Sequence, residues 1–342
     1  MNGLPPNFPA ASLKLAAVSA LTLLVSSASA QMFWTNDAGD NDFNNATNWN
    51  SAYPNGVEAR INLSGADRAI LDGTPSANPG SLRIGIGSGN TGEFEMRSGT
   101  VDFTSNAESR VGVGGGTGYL TQSGGSLQVN RQHQIGLDSG STGTHLQTGG
   151  SFVIGREVGG NSLVVGDGGT GFYSIGGIGS ILKTRAGVQL GRNGGMGVFE
   201  VLGSGISQIG IGSEGSVDGR WIQGSGSILR VGIDSGGITP IYIDETGGDA
   251  GGDVTFAAGS LLDVSFLEGV IPGTYTIMTW DGIVTDEGLA FADDVDTDRW
   301  SFDVGPNSLT ITALASVPEP GFYGALAGLI ALGAVAYRRR QR

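Results

Sequence analysis

A glycine-rich repeat fills the middle of the chain and constrains its fold more strongly than any other feature. The clearest copies are RIGIGSGNTGEFEMRSGTVDF from Arg83, RVGVGGGTGYLTQSGGSLQV from Arg110 and QIGLDSGSTGTHLQTGGSFVI from Gln134. Three degenerate copies start at Val164, Gln189 and Gln208, and VGIDSGG from Val231 is the candidate start of a seventh. The glycine before the central strand of each copy falls at positions 92, 118, 143, 171, 197 and 219. This near-constant spacing indicates one structural unit repeated along the chain.

Each copy consists of two or three short strands separated by glycine-containing turns. Alternation of apolar and polar residues, as around Phe94 and Met96, is typical of strands with one buried face. Strands this short cannot bury a face alone, but stacked about 4.8 Å apart they would share a continuous core. Glycine suits the corners, where the chain needs positive φ or close backbone approach. We therefore predict an all-β fold, a right-handed parallel β-helix (solenoid) of about six to seven Gly-rich rungs.

An antiparallel sandwich with glycine-rich loops is the alternative fold. The regular unit length and the lack of clean Asn-Gly hairpins favour the β-helix. In this interpretation residues 82–235 form the solenoid, 31–81 an N-terminal β cap and 236–315 a C-terminal β region. Trp34 and Trp49 are suited to covering the open end of the stack, where strand edges are otherwise unpaired.

Composition and charge exclude several other classes of protein. Glycine accounts for 63 of the 342 residues, but the glycines follow no three-residue period, which excludes collagen. The lack of cysteine excludes a disulfide framework, a thiolate nucleophile and Cys-ligated metal sites. The formal net charge of -14 repels phosphate backbones, so we expect no nucleic-acid partner.

The first 30 residues have the pattern of a secretory signal peptide. An apolar stretch at 15–25 follows Lys14, and Ala28 and Ala30 form an A-x-A cleavage site. We therefore predict that signal peptidase removes residues 1–30 and that the mature chain begins near Gln31.

Residues 316–342 have the pattern of a membrane anchor. The apolar run 321–337 is just long enough to cross a bilayer as a transmembrane helix, and the Arg-rich tail 338–342 follows it. Because arginine is retained on the cytoplasmic side, the helix would leave the body of the chain outside. Pro318 and Pro320 prevent the helix from extending back into that body.

Three features of this end together resemble a PEP-CTERM sorting signal. They are Val317-Pro318-Glu319-Pro320, the short Gly- and Ala-rich helix, and the arginine cluster that includes Arg338, Arg339 and Arg340. The resemblance implies export by a Gram-negative, exopolysaccharide-producing bacterium. It also implies cleavage by an exosortase, a membrane cysteine protease that recognises Pro-Glu-Pro and removes the helix. The chain would be anchored in the membrane transiently before it reaches the cell surface or the extracellular space.

Acidic turns supply candidate metal ligands. Asp138 and Asp234 occur in the near-identical contexts LDSG and IDSG, and Asp167 lies in VGDGG between them. On a stacked solenoid these carboxylates would form a stripe that binds calcium, although aspartate before glycine is also an ordinary turn residue. A second acidic cluster, also explained as an exposed acidic loop, consists of Asp293, Asp294 and Asp296. We expect no resident cofactor, with calcium as the alternative.

The remaining residues favour a non-enzymatic protein. His133 and His145 lie beside no Asp or Ser pattern of a catalytic triad, and we expect them to face solvent or lie in turns. No basic residue pairs in register with a carboxylate cluster, as a polysaccharide-cleaving β-helix would require.

The glycine-rich repeats and the Asn- and Asp-rich segment before them resemble autotransporter-like bacterial surface proteins. We expect a structural or adhesive protein of the cell surface or extracellular matrix, whose partners are exopolysaccharide or other surface proteins. A polysaccharide-binding or polysaccharide-cleaving β-helix is the alternative. Ice binding is a third hypothesis, which rests on Thr310-Ile311-Thr312.

Overall fold

A computed structural model of the chain describes residues 31–105, 107–155, 162–212, 219–243, 252–267 and 271–314. Short β-strands make up almost all the regular structure of these residues, with 3-10 helices at Ala46–Asn48 and Gly65–Asp67. The predicted signal peptide and the predicted sorting signal lie outside the described residues.

The strands follow one another around a coil whose unit is a rung of three strands. The first partial rungs contain β1 (Gln31–Phe33), β2 (Glu58–Ile61) and β3 (Ala69–Leu71). Among the described strands, seven complete rungs follow: β4 (Ser81–Ile86), β5 (Thr91–Met96) and β6 (Thr100–Phe103); β7 (Ser109–Val113), β8 (Thr117–Gln122) and β9 (Ser126–Val129); β10 (His133–Leu137), β11 (Thr142–Gln147) and β12 (Ser151–Ile154); β13 (Ser162–Asp167), β14 (Thr170–Ile175) and β15 (Ile181–Thr184); β16 (Gly187–Arg192), β17 (Met196–Leu202) and β18 (Gln208–Ile211); β19 (Arg220–Gln223), β20 (Ile228–Ile233) and β21 (Ile241–Ile243); β22 (Asp253–Phe256), β23 (Leu261–Phe266) and β24 (Gly273–Trp280). The last strands are β25 (Val284–Asp286), β26 (Ala290–Phe291), β27 (Trp300–Val304) and β28 (Ser308–Ala313).

Equivalent strands of successive rungs pair side by side and build three sheets. Sheet 1 has 10 strands, in the order β1-β2-β4-β7-β10-β13-β16-β19-β22-β25. Sheet 2 has 9 strands, β3-β5-β8-β11-β14-β17-β20-β23-β26, and sheet 3 has 9 strands, β6-β9-β12-β15-β18-β21-β24-β28-β27. The rungs pair in parallel throughout these sheets, and antiparallel pairing joins β28 to β24 and to β27 at the end of sheet 3. The predicted parallel β-solenoid is therefore confirmed, and the antiparallel sandwich is wrong.

The parallel stack extends beyond the glycine-rich repeats at both ends. It begins where β1 pairs with β2 and continues to the pairing of β22 with β25. Parallel pairing depends on strand length and alternation, which the flanking segments also possess, and it does not require glycine at every corner.

Each rung places one face of each strand in a shared interior. In the rung β4–β6 the interior residues include Leu82, Phe94 and Val101, all buried. Residues in register on successive rungs form columns, both inside the stack and on its outer faces. Full burial of each apolar side chain contributes about 1.5–3 kcal/mol, so neighbouring rungs stabilise one another through these columns.

The corner between sheets 1 and 2 explains why the repeat needs glycine at fixed positions. Gly136, near the end of β10, has a φ of +72°, and a Cβ added to it would overlap the carbonyl oxygen of Thr170 in the next rung. A Cβ on Gly143, in β11, would overlap the carbonyl oxygen of Val111 in the previous rung. The same pairing of glycines recurs at Gly85 and Gly92, Gly112 and Gly118, and Gly166 and Gly171. Backbone contact between rungs therefore sets the glycine spacing, because the corner admits no side chain.

The predicted alignment of the last repeat copies is wrong. QIGIG from Gln208 begins with β18 of sheet 3, whereas RIGIG from Arg83 lies in β4 of sheet 1. Gly219 precedes β19 of sheet 1 instead of a strand of sheet 2, and the segment from Val231 belongs to β20 of sheet 2. Similar strand-glycine patterns occur at more than one corner, and pairing with the neighbouring rung decides which corner each occupies.

Aromatic side chains pack at the N-terminal end of the interior. The rings of Trp34 and Trp49 are 5.3 Å apart, and Phe43 lies 5.1 Å from Trp49 and 5.0 Å from Phe94 of β5. The indole N–H of Trp34 donates to the carbonyl of Asp67, and that of Trp49 donates to the carbonyl of Phe43. Both tryptophans are thus buried with their polar atoms satisfied, as aromatic packing in a core requires.

Candidate functional site

Three arginines form a column on the outer face of sheet 1. Arg60 of β2 is in register with Arg83 of β4, and Arg83 is in register with Arg110 of β7. Their side chains are 18%, 24% and 21% exposed, respectively. Because neighbouring strands lie about 4.8 Å apart, three like charges are held one above another.

Two glutamates hold these arginines without neutralising all of them. Glu58 Oε1 accepts a hydrogen bond from Arg60 Nε at 2.5 Å, and Glu58 Oε2 lies 2.8 Å from Arg83 Nε. Glu108 Oε2 lies 2.9 Å from Arg110 Nη2. Burial, opposed by Glu58 and reinforced by Arg110 and Arg60, lowers the pKa of Arg83 below its usual value. Three guanidinium groups are therefore in contact with two carboxylates, and the charge of Asp167 also acts on Arg110.

The column continues on both sides of the arginines. Phe33 of β1 is in register with Arg60, whose Cζ lies 5.5 Å from the centre of the Phe33 ring. Gln134 of β10 is in register with Arg110 and accepts a hydrogen bond from Arg110 Nε at 2.9 Å. We call Phe33, Arg60, Arg83, Arg110 and Gln134 the arginine column.

Sequence reasoning missed the arginine column. Arg83 and Arg110 occupy the same position at the start of the first two repeat copies, and Arg60 precedes an isoleucine in the same way. The column could have been predicted from this shared position. The expectation that no basic residue pairs in register with a carboxylate cluster is wrong at Arg230 of sheet 2, which lies in register between Glu200 and Asp263.

Asp138 and Asp167 lie at the corner between sheets 1 and 2, in neighbouring rungs. The N–H of Asp138, a turn residue with a φ of 72°, donates to the carbonyl of Asp167 at 2.8 Å. The Asp167 carboxylate forms an ion pair with Arg192 and accepts hydrogen bonds from Asn193 Nδ2 at 2.7 Å and Gln134 Nε2 at 3.2 Å. Burial acts to raise the pKa of Asp167, but Arg192, Asn193 and the charge of Arg110 shift it downwards overall. Asp167 is therefore an ionised acceptor already occupied by protein groups.

Asp234 lies at a different corner, between sheets 2 and 3. Its carboxylate accepts hydrogen bonds from the N–H and hydroxyl of Ser204, both at 2.9 Å, and from the N–H of Gly236 at 2.8 Å. Burial acts to raise the pKa of Asp234, but these hydrogen bonds shift it downwards overall. The structure therefore brings Asp138 and Asp167 together and leaves Asp234 apart from both.

The second acidic cluster lies in the loop between β26 and β27, at Asp293, Asp294 and Asp296. Asp296 Oδ2 is 3.3 Å from Arg299 Nε, and both side chains are more than half exposed. Within the part of the chain that the structure describes, no group of three or more His, Asp or Glu side chains is placed to hold a metal ion. Calcium binding at these aspartates stays a prediction.

The predicted processing residues lie outside the described residues. They are Ala28, Ala30, Pro318, Glu319, Pro320, Arg338, Arg339 and Arg340. In the described ranges, no helix has both the length and the apolar character needed to cross a membrane.

Both histidines lie in the interior, so the expectation that they face solvent or lie in turns is wrong. The rings of His133 and His145 are 5.3 Å apart, and Phe152 lies 5.0 Å and 4.8 Å from them. No described residue forms a hydrogen bond with any of the four ring nitrogens. Burial lowers the pKa of His133 to about 3 and lowers that of His145 as well. The burial of His145 could have been predicted from register, since His145 occupies the inward position that Leu120 and Tyr173 hold in the adjacent rungs.

The outer face of sheet 2 carries a column of threonines in register: Thr91, Thr117, Thr142 and Thr170. The adjoining outward column is more apolar and includes Tyr119 and Phe172. Thr310 and Thr312, on which the ice-binding hypothesis rests, lie instead on the antiparallel strand β28. On that strand Thr312 is in register with Thr274 of β24, their hydroxyl oxygens 3.0 Å apart, and Thr310 is in register with Thr276, so ice binding stays a prediction.

Comparison of the chain with protein-family models, with curated proteins and with solved structures finds no match in any of the three.

Proposed function

We propose that this chain is an exported, non-enzymatic protein of the cell surface or extracellular matrix, with a structural or adhesive role. The observation that supports this most directly is the regular outer surface of the stack, in which sheet 1 alone has 10 strands. Columns on this surface present side chains at intervals of about 4.8 Å. Such an interval suits repeated contacts with an extracellular polymer, which is itself a repeat.

The two ends of the chain supply the route in this proposal. Signal peptidase removes residues 1–30, and an exosortase-type enzyme acts at Pro318-Glu319-Pro320. The helix 321–337 holds the chain in the membrane until that cleavage. The chain then joins the exopolysaccharide outside the cell.

Polysaccharide binding is the second candidate function, and the arginine column favours it. Extracellular polysaccharides that carry acidic groups would find three guanidinium groups in register on an otherwise acidic protein. Binding of this kind is compatible with a structural or adhesive role. Cleavage of the polysaccharide would be a different function, distinguished by its products.

The sorting route is tested with the full chain in an exopolysaccharide-producing Gram-negative host that carries an exosortase. We expect the wild-type chain to be shortened at both ends and recovered with the matrix, as read by fractionation, immunoblotting and mass spectrometry of the termini. The double substitution Pro318→Ala/Pro320→Ala should keep the C-terminal helix and stay in the membrane fraction. Pro240→Ala, at an exposed proline of the body, is the matched control and should behave as wild type.

Two results would contradict the proposal. The first is delivery of the double variant to the matrix at the wild-type length. The second is release of reducing ends or unsaturated sugars when the recovered chain is incubated with the exopolysaccharide of the same host. The proposed scaffold should co-sediment with that polymer and leave it intact.

A further inference from the structure

We propose that the arginine column binds a polyuronate, a polysaccharide with a carboxylate on each sugar, whose chain lies along the axis of the solenoid. This inference rests on the proposed function and names the class of polymer that the protein contacts.

The charges of the arginine column are the first argument. Like charges directly opposite one another on neighbouring strands destabilise a sheet, yet Arg60, Arg83 and Arg110 follow one another in register. They do so in a chain whose net charge is -14. On the outer face of sheet 2 carboxylates outnumber arginines instead, since Arg230 lies between the carboxylates of Glu200 and Asp263. An excess of positive charge at one place in an acidic protein points to an anionic ligand.

The unused donors of the arginines are the second argument. Glu58 Oε1 accepts a hydrogen bond from Arg60 Nε, and Glu58 Oε2 forms an ion pair with Arg83 at 2.8 Å from its Nε. Within the described residues, no hydrogen bond occupies the terminal Nη atoms of either side chain. Guanidinium groups bind carboxylates through such paired donors, and the hydrogen bond to Glu58 fixes the orientation of Arg60 in advance.

The spacing of the column selects an extended polymer over a small anion. Successive guanidinium groups are separated by one strand spacing, about 4.8 Å, which is similar to the length of one sugar unit in an extended polysaccharide. Carboxylates that recur along one side of a polyuronate can therefore meet arginines that recur along the column. Phe33, 39% exposed at the N-terminal end of the column, offers a ring on which a sugar face can pack. Duplex DNA is disfavoured, because its binding would bring a denser line of phosphates against an acidic body.

Polygalacturonate is the probe, and its methyl ester is the matched polymer without the charge. The full chain in mild detergent is expected to bind polygalacturonate with an affinity that falls as sodium chloride is raised, and to bind the methyl ester far more weakly. Arg83→Gln should weaken binding by at least about tenfold, the loss expected for charge-assisted hydrogen bonds. Arg230→Gln removes the same charge from a side chain that is 35% exposed on sheet 2, and it should retain the wild-type affinity.

Thermal unfolding separates loss of binding from loss of fold. Because Arg83 lies between two like charges, Arg83→Gln should keep or raise the melting temperature of the free protein, and Arg110→Gln should repeat the loss of binding. Four results would overturn the inference. They are equal losses of affinity in Arg83→Gln and Arg230→Gln, binding of the methyl ester as tight as that of polygalacturonate, and binding of dextran sulfate or of duplex DNA that is tighter than that of polygalacturonate. The comparison of the two polymers uses wild-type protein, so it holds whatever the stability of the variants. Failure here leaves the sorting assay unaffected, since that assay is read from fractions and chain termini.

Discussion

The interior of the rung β10–β12 contains two neutral histidines, whereas most neighbouring rungs hold aliphatic or aromatic side chains at these positions. A buried polar group without a partner costs about 1–3 kcal/mol. His133 and His145 offset part of this cost by ring packing, at 5.3 Å from each other and within 5.0 Å of Phe152. The pair is compatible with the fold only while both rings are uncharged.

The histidine pair should make the protein sensitive to mild acid. The folded-state pKa of His133 is lowered to about 3, below the unfolded value of 6.5, so the unfolded chain binds more protons between these values. Stability is therefore complete above pH 6.5 and falls as the pH drops, by about 1.4 kcal/mol per pH unit for each histidine that stays neutral in the fold. Chemical denaturation at pH 7, 6 and 5 measures this slope.

Replacement of the pair should abolish that slope. His133→Leu/His145→Leu places leucine where the adjacent rungs already hold Leu163 and Leu120, so both side chains fit their columns. Phe152→Leu is the control that perturbs the same packing and keeps both histidines. An unchanged slope in the double leucine variant would show that other groups cause the acid sensitivity.

At the scale of the element, the corner between sheets 1 and 2 is more restrictive than the strands it joins. Gly136 combines a positive φ with backbone contact to the next rung, whereas Gly143 has the close contact alone. Gly194 has the positive φ alone, at +76°, and a Cβ added there would meet no atom within 4 Å. These three glycines separate the two reasons for which the repeat uses glycine, namely positive φ and close backbone contact.

Alanine at these positions should rank the two effects. Gly194→Ala should cost about 1 kcal/mol, the penalty of the left-handed backbone. Gly143→Ala and Gly136→Ala should cost more than about 3 kcal/mol or prevent folding, since the backbone of the neighbouring rung must move. Urea denaturation of the three variants gives the order of their unfolding free energies. Equal losses of stability in Gly136→Ala and Gly194→Ala would contradict the role given to the close backbone contact.

Buried glutamines stabilise the interior of the corner between sheets 2 and 3. The Nε2 of Gln122 donates to the carbonyl of Ser151 at 3.0 Å, and that of Gln147 donates to the carbonyl of Ile181 at 2.9 Å. Each side chain thus connects the end of a sheet 2 strand to sheet 3 of the following rung. Tyr173 adds to this network by donating its hydroxyl to Gln147 Oε1 at 2.6 Å.

At the scale of the whole molecule, stability should depend on the number of rungs, because each rung contacts its two neighbours. Deletion of residues 109–132 removes β7–β9 and joins Glu108 to His133, which occupies the register position of Ser109. This shorter protein should fold with the same circular dichroism spectrum. Its unfolding should show a smaller denaturant dependence, since less surface is buried.

Deletion of half a rung supplies the contrast. Removal of residues 109–122 brings β9, a strand of sheet 3, to the place of a strand of sheet 1. Its inward and outward residues and the corner glycines then no longer match those of the neighbours, so we expect aggregation. If both deletions folded equally well, or failed equally, the stability would not be modular.

The sequence by itself determined that the chain forms short strands with glycine turns between them, and that these repeat in a stack. The strands and turns are local properties, since glycine spacing and alternation within one copy specify where the chain turns and which side chains of a strand share a face. The same information predicted a repeat at Gly92, Gly118 and Gly143, which the structure places in register in sheet 2.

The tertiary structure alone decided which residues of different rungs meet. Asp138 and Asp234 share one local sequence but occupy different corners, and QIGIG from Gln208 belongs to sheet 3 despite its likeness to the segment at Arg83. The burial of His133 and His145 and the alignment of Arg60 with Arg83 and Arg110 likewise depend on register. Register is set by pairing between strands more than 20 residues apart, and a shift of one residue would turn every inward side chain outward.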